Sequence, residues 1–314
     1  MTDSDSSTSM HVPVLPSEVI EGLDLAPGKT IIDGTFGGGG HARLIVPRIS
    51  PGGMLIGMDR DPHAIHQYGA QWRDALPGPE IAGTPLPQIE LINDSYHRIP
   101  QVLQERGLDG VDGILLDLGL SSDQLNDPAR GFSYQTSGDL DLRFDPTSGE
   151  AARDLLLRLP EKEIADLIYQ FGEERCSRRI ARRIVERRKE RRAVTTADEL
   201  ATLVRSCVPR SKNHRIDPAT RTFQALRIAV NHELRIVKQA LEDLPGCLRP
   251  GGRLAVISFH SLEDRIVKYA FREADDLEIL TRKPLLASDR ENAENPRARS
   301  AKLRVAVKKG GSQD

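Results

Sequence analysis

The chain has 314 residues, with 44 Lys and Arg against 46 Asp and Glu, a formal net charge of -2 and only 4% aromatic residues. No global basicity marks it for nucleic acid, so any such function must rest on local patches, and the length allows about two domains with largely aliphatic cores. Cys176, Cys207 and Cys247 are odd in number and widely spaced, which excludes a disulfide framework and suits a reducing, cytoplasmic setting.

The first ten residues are rich in Ser, Thr and Asp and lack the start of a signal peptide, so residues 1–9 are expected to be a disordered tail. No apolar run approaches the ~20 residues that cross a bilayer, so a soluble protein without membrane contact is expected. The first strand, Ile31-Ile32-Asp33, ends on an acid and runs into Gly34-Thr35-Phe36 and four consecutive glycines, Gly37 to Gly40, before His41. Glycine backbone can press against a ligand, and a helix predicted to begin near Ala42 would aim amide N–H groups and a positive helix end at the same spot. The run lacks G-x-G-x-x-G in any register, which disfavours a hydride-transfer enzyme. It resembles instead the first motif of class I S-adenosylmethionine-dependent methyltransferases. Read without support, four glycines are only a flexible turn.

Support follows in chain order. Met54-Leu55-Ile56-Gly57-Met58 reads as a second buried strand ending on Asp59, 26 residues after Asp33, where nucleotide-binding α/β folds place a ribose-binding acid. Asp61-Pro62 reads as the cap and first turn of the next helix. Glu90-Leu91-Ile92 and Gly113-Ile114-Leu115-Leu116 give two further strands, the latter ending on Asp117. Such runs suit a parallel sheet buried on both faces, with its ligand crevice beyond the carboxyl ends of the strands.

After Asp117 the sequence becomes loop-like to about Glu150, then strongly helical from Ala151 to Val208. Cys176, Ile180 and Ile184, with Ala181 and Val185, form one apolar stripe. Between Arg175 and Arg192 stand ten Arg or Lys against Glu186 and Glu190, a net of +8 over 18 residues. A charge run is usually a solvated face, but too few acids neutralise this one, and it is expected to meet phosphates. Asp217-Pro218 opens a long amphipathic helix through Phe223, Leu226, Val230, Leu234, Val237 and Leu241. A Leu-x-Pro-Gly-Gly turn at 248–252 precedes the strand Arg253 to Ser258, and Leu303 to Val307 is expected to close an antiparallel sheet edge. The fold class read from this order is α/β: a doubly wound sheet over 10–132 and 213–314, with a helical insertion at 133–212.

Several longer stretches then stand out: Asp33-Gly34-Thr35-Phe36-Gly37 with Gly39-Gly40-His41, Asp112 to Gly119, Arg130-Gly131-Phe132-Ser133, Tyr169 to Arg175, Pro218 to Ala225, Ile257 to Arg265, and Asn295 to Ser300. Together they resemble the small-subunit ribosomal RNA (cytosine-N4)-methyltransferases, the MraW family, from about His11 to Val307. The resemblance implies a class I methyltransferase sheet with an RNA-binding helical insertion. It also implies S-adenosylmethionine as cofactor and N4-methylation of a cytidine in the decoding region of 16S ribosomal RNA within the small subunit. The family's cofactor positions correspond to Gly39, Gly40, His41, Asp59, Tyr96, Asp117 and Gln124. Departures are few: Asp139 stands where proline is expected, and Asp217 where histidine is common.

Methyl transfer from a sulfonium is an in-line displacement, so alignment and exclusion of water matter more than a charged catalytic residue. The Asp/Asn/Ser-Pro-Pro-aromatic device of many amino methyltransferases is absent; that place reads Asp117-Leu118-Gly119-Leu120. A base must also leave its stack to react. Phe259 and His260 are the candidates for stacking and proton handling, against the plainer alternatives of core packing and a structural hydrogen bond. Arg178, Arg179, Arg182, Arg183, Arg187 and Arg188 in the basic run, and Arg297 and Arg299 near Lys302, are the candidate RNA contacts. Eight scattered histidines and three distant cysteines give no metal-ligand spacing. A methyltransferase acting on another RNA or on protein, and a non-catalytic RNA-binding module, are the competing readings.

Overall fold

The computed structural model describes residues 12–74, 80–81, 84–134, 137–209 and 217–310; the tail expected at 1–9 lies outside them. Each apolar run read from the sequence forms a parallel strand. These are β1 (Thr30–Asp33), β2 (Met54–Asp59) and, past a small hairpin of β3 (Glu80–Ile81) and β4 (Thr84–Pro85), β5 (Gln88–Asn93) and β6 (Val111–Asp117). They join β7 (Leu248–Ser258), β8 (Leu277–Ile279) and β9 (Lys302–Lys308) in a seven-stranded sheet of order β5-β2-β1-β6-β7-β9-β8. Strand order reverses between β1 and β6, which makes the carboxyl end of β1 the topological switch point where such sheets bind ligands.

Alternate residues of the central strands feed two cores. Ile32, Ile56, Ile114, Leu116, Leu254 and Val256 face one way, and Ile31, Leu55, Leu115, Ala255 and Ile257 the other, all fully buried. The first face is covered by α4 (Ile99–Glu105) through Val102 and Leu103 and by α12 (Ser261–Glu273) through Val267 and Phe271. The second is covered by α1 (Pro16–Leu23) through Val19 and Leu23 and by α2 (Gly40–Ile49) through Ile45, Val46 and Ile49. Each such side chain contributes about 1.5–3 kcal/mol by leaving water. The sheet is therefore doubly wound, as the apolar runs indicate. β5 is the exception to full burial, since as an edge strand it keeps one side partly open.

Three local features differ from the sequence reading. β9 is antiparallel, but it lies between β7 and β8 and is not the edge; the edge is the short β8, whose three residues give too little pattern to read. The turn Arg249 to Gly252 is taken up as a bulge in β7, between the pairs Val111↔Leu248 and Gly113↔Arg253, with Gly251 at φ 81°. The long amphipathic helix is two, α10 (Ala219–Asn231) and α11 (Glu233–Asp243), broken where His232 turns left-handed at φ 54°. Hydrophobic periodicity continues across such a break and hides it.

The chain forms two compact units, residues 1–121 with 237–314, and residues 122–236. Residue 133, read from sequence as the start of the insertion, falls inside the second unit, and residue 212, read as its end, lies outside the described residues. That unit holds α5 (Ser122–Asn126), α6 (Ala152–Arg158), α7 (Glu161–Gly172), α8 (Ser177–Lys189), α9 (Ala197–Cys207) and α10. At Gly172 a Cβ would stand 2.4 Å from the Arg221 carbonyl oxygen, so the end of α7 meets the start of α10 backbone to backbone. Asn231 braces the loop before α6, donating from Nδ2 to Leu142 O (2.7 Å) and accepting from Phe144 N–H (2.7 Å). Among the described residues no helix is long and apolar enough to cross a membrane, and all three cysteines are free thiols.

Candidate functional site

The first unit brings Asp33, the glycine turn, Asp59, Tyr96, Asp117, Phe259 and His260 to the carboxyl edge of the sheet, because each closes or directly follows a parallel strand. The turn is tightly built. Gly34 N–H donates to Leu115 O (2.9 Å) and Phe36 N–H to Met58 O (2.8 Å), which ties the turn to both neighbouring strands. Gly37 and Gly39 sit at φ 51° and 71°, where a Cβ is strained. At Gly39 a Cβ would also stand 2.5 Å from Trp72 Cδ1, and Trp72 is fully buried with its ring edge-on to Phe36 (5.4 Å). Gly39 is the N-cap of α2, so the helix starts at Gly40 rather than near Ala42.

The acids are linked to this turn. The Asp59 carboxylate accepts from Gly37 N–H (2.8 Å) and Asp61 N–H (2.9 Å), one on each oxygen, leaving a lone pair on each for a further donor. Asp61 accepts from His63 N–H (3.0 Å), the cap role read from the sequence. Asp117 N–H donates to the Thr35 hydroxyl (2.7 Å). Thr35 escaped the sequence reading as a site residue, although it lies inside the Asp33 to Gly37 motif.

Electrostatically the edge is an acidic pocket holding one imidazole. His41 Nε2 lies 3.6 Å from Asp117 Oδ2, with the two side chains 5% and 9% exposed. Both His41 nitrogens and Asp117 Oδ1 are buried without a hydrogen-bond partner among the described residues. These buried polar atoms keep hydrogen-bonding capacity for a ligand. Burial pushes the Asp33 carboxyl up to about 6; His41 and the Thr35 N–H work against that, and Asp117 and Asp59 add to it. Burial likewise raises Asp59 to about 6, opposed by its two backbone N–H bonds. A ligand carrying positive charge and hydrogen-bonding donors fits this pocket. Tyr96, partly buried, packs its Cβ where a Gly34 side chain would go. Gln124 lies buried on α5 in the second unit.

Phe259 packs over Gly119, where a Cβ would meet its ring at 3.2 Å. His260 is the N-cap of α12: its Nδ1 faces Glu263 N–H (3.4 Å), and its Nε2 lies 3.1 Å from the buried Glu263 carboxylate. Glu263 also accepts from Phe259 N–H (2.9 Å), so one buried acid fixes both residues. This is the structural hydrogen bond weighed above as the plainer reading of His260.

The candidate RNA-binding arginines divide by their partners. Arg188 donates to the carbonyls of Leu156 (3.0 Å), Leu157 (2.7 Å) and Leu159 (2.8 Å), satisfying the C-terminus of α6. Arg187 bonds Arg192 O (3.1 Å) and lies 3.6 Å from Glu199. Arg297 donates to Leu120 O, and Arg299 is exposed with one long bond to Asn292 O (3.4 Å). On α8, Arg178, Arg179, Arg182 and Arg183 are exposed; the last two have only solvent-facing acids at 3.8 Å (Glu161) and 3.1 Å (Glu186). Ile180, Ala181, Ile184 and Val185 bury the opposite face. Asp217, the departure noted above, pairs with Arg205 (2.7 Å) and accepts from Ala219 N–H (2.8 Å) at the start of α10. No group of three or more potential metal ligands comes together among the described residues.

The model of the MraW methylase family matches residues 8–309. The chain is 50% identical over 312 residues to ribosomal RNA small subunit methyltransferase H of Rhodopirellula baltica, covering 96% of this chain and 93% of that protein. To the protein of the same name from Deinococcus radiodurans it is 48% identical over 306 residues, covering 97% and 92%. Among solved structures it is similar to a rRNA methylase from Streptococcus thermophilus, at 10% identity and TM-score 0.43 over 94% of this chain and 95% of that one.

Proposed function

Because the chain belongs to the MraW methylase family, we propose that it methylates the exocyclic N4 of a cytidine in the decoding region of 16S ribosomal RNA, using S-adenosylmethionine. The observation that carries the cofactor site is the unpartnered pair His41 and Asp117 beside the glycine turn, with Asp59 one strand away. When bound, S-adenosylmethionine supplies an electrophilic methyl on sulfur for in-line displacement.

The chain's own residues bind, orient and keep water out. Gly39, Gly40 and His41 present the start of α2 to the methionine carboxylate. Asp59 has acceptor capacity for ribose hydroxyls, Tyr96 covers the adenine, and Asp117, fixed by Thr35, takes donors of the cofactor. Phe259 offers the stacking face for an unstacked cytosine, and His260, locked by Glu263, holds the segment that carries it. The four exposed arginines of α8 are assigned to RNA phosphates, and this reading implies the small ribosomal subunit, in the cytoplasm, as the partner.

The test is to incubate the protein with labelled S-adenosylmethionine and unmodified small subunits, digest the RNA and identify the nucleoside. N4-methylcytidine is the expected product. Label in protein alone, or RNA binding without cofactor affinity, would overturn the reading.

A further inference from the structure

Beside the antiparallel edge of the sheet is a hollow of about 310 Å³ between α12, β8 and β9. Lys268 and Arg272, one turn apart on α12, Arg282 just after β8, and Arg304 on β9 line it over a floor of Phe271 and Ile279. Among the described residues no carboxylate lines it. Arg304 is neutralised by Asp264 (2.8 Å), but Lys268, Arg272 and Arg282 are exposed and have no acidic partner among the described residues. Three unpaired cations around one concavity repel one another until an anion enters.

A second observation narrows the anion. Tyr269 stands 47% exposed, flanked by Lys268 Nζ at 5.8 Å and Arg272 Cζ at 5.9 Å from its ring centroid. An exposed aromatic ring with two cations beside it is an arrangement that can receive a base and its phosphates in single-stranded nucleic acid. An acidic peptide would use the cations and leave the ring idle. The hollow also lies close to the reaction edge: α12 starts at the end of β7, and Lys268 is seven residues on, roughly 10 Å along the helix axis.

We propose that this hollow is a second single-stranded RNA subsite of the first unit, with phosphate oxygens held by Lys268, Arg272 and Arg282 and a neighbouring base stacked on Tyr269. The inference rests on the reading of the substrate as RNA. It assigns the flank of the sheet to nucleotides beside the target, independently of α8.

The probe is a short fluorescein-labelled single-stranded oligocytidine RNA, titrated into the full chain at several salt concentrations. Lys268→Glu with Arg272→Glu should weaken binding by about tenfold or more and flatten the log–log salt slope by about 1.4, the value for two lost phosphate contacts on a single strand. Lys268→Gln with Arg272→Gln, milder for folding, should move both quantities in the same direction. Tyr269→Ala should weaken binding at least about fivefold with no change in slope, since stacking is not a charge contact. All three variants should keep the wild-type affinity for S-adenosylmethionine by calorimetry.

Unchanged RNA affinity and slope in the charge variants would overturn the inference, as would oligoglutamate binding that needs these cations while RNA binding does not. Failure of the methyltransferase reading looks different: the wild-type protein then yields no methylated RNA at all.

Discussion

His41 stands in the first turn of α2 and Asp117 closes β6, yet their side chains approach to 3.6 Å in a pocket that leaves three of their polar atoms without hydrogen-bond partners among the described residues. Asp117 is held there by its backbone, through Thr35, rather than by its carboxylate. Asp117→Ala should therefore leave the sheet intact and weaken S-adenosylmethionine binding by about tenfold or more, the usual scale for a hydrogen bond to a charged group. Calorimetric titration measures it; unchanged affinity would remove Asp117 from the site.

Asp59 does two things, so its variant must be chosen with care. Alanine would release the N–H groups of Gly37 and Asp61 along with any ribose contact. Asp59→Asn keeps one acceptor oxygen, frees one of the two N–H groups instead of both, and should lower cofactor affinity with a smaller loss of Tm than alanine. The sole tryptophan, Trp72, packs against Phe36 in the wall of the glycine turn, and its fluorescence should report the titration. An affinity equal to wild type would count against the ribose role.

The buried acids give a defined pH dependence. Asp33, raised by burial to about 6, holds its proton in the fold over a range where the unfolded chain, at 3.8, has already lost it. Its contribution to stability is thus complete below about pH 4 and is lost as pH rises to about 6, on the order of 3 kcal/mol in all. Asp33→Asn should match wild type in denaturant titrations at pH 4 and exceed it above pH 7. A positively charged ligand favours the ionised acids, so S-adenosylmethionine should bind more tightly as pH rises through about 6 and release protons in doing so. Proton release is read from binding enthalpies in buffers of different ionisation heat, and its absence would sink this account.

Gly39→Ala should destabilise the first unit by about 2–5 kcal/mol, combining a left-handed backbone strain of about 1–2 with overpacking against Trp72 of about 1–3. Gly28 is the control: it too has positive φ, 83°, but nothing lies within 4 Å of its Cβ position. Gly28→Ala should show the backbone strain alone, and equal losses at the two sites would refute the packing argument.

Neighbouring arginines on α8 should separate into two kinds. Arg188→Ala frees three carbonyl groups at the end of α6 and should lower stability by about 1–3 kcal/mol. Reversing Arg178, Arg179, Arg182 and Arg183 should leave Tm nearly unchanged and instead weaken RNA binding with a shallower salt dependence. If the salt slope stays as in wild type, that face of α8 is only solvated.

Much of this was readable in the residues, and the gaps have physical reasons. Parallel strands buried on two faces announce themselves as apolar runs, so β1, β2 and β6 and the acids at their ends were legible. β8 was not, because three residues carry no period, and the break at His232 was hidden because both helices bury the same kind of stripe. The arginine run shows charge but not direction: nothing in the sequence tells Arg188, turned onto carbonyls, from Arg182, turned to solvent. Thr35, which positions Asp117 across 82 residues of chain, could be placed only in three dimensions.

The position of β9 has a consequence for assembly. β8 emerges from synthesis before β9, yet among the described residues β9 is its only neighbour in the sheet. Arg304 and Lys302, which tether α12 through Asp264, also belong to β9. A chain ending before Lys302 would lose two strands and the restraint on α12 together, with Ala255 and Ile257 of β7 newly open to water. β9, made after every other described strand of the sheet, is therefore a keystone for it, and until it arrives β7 presents an unpaired edge able to capture another chain.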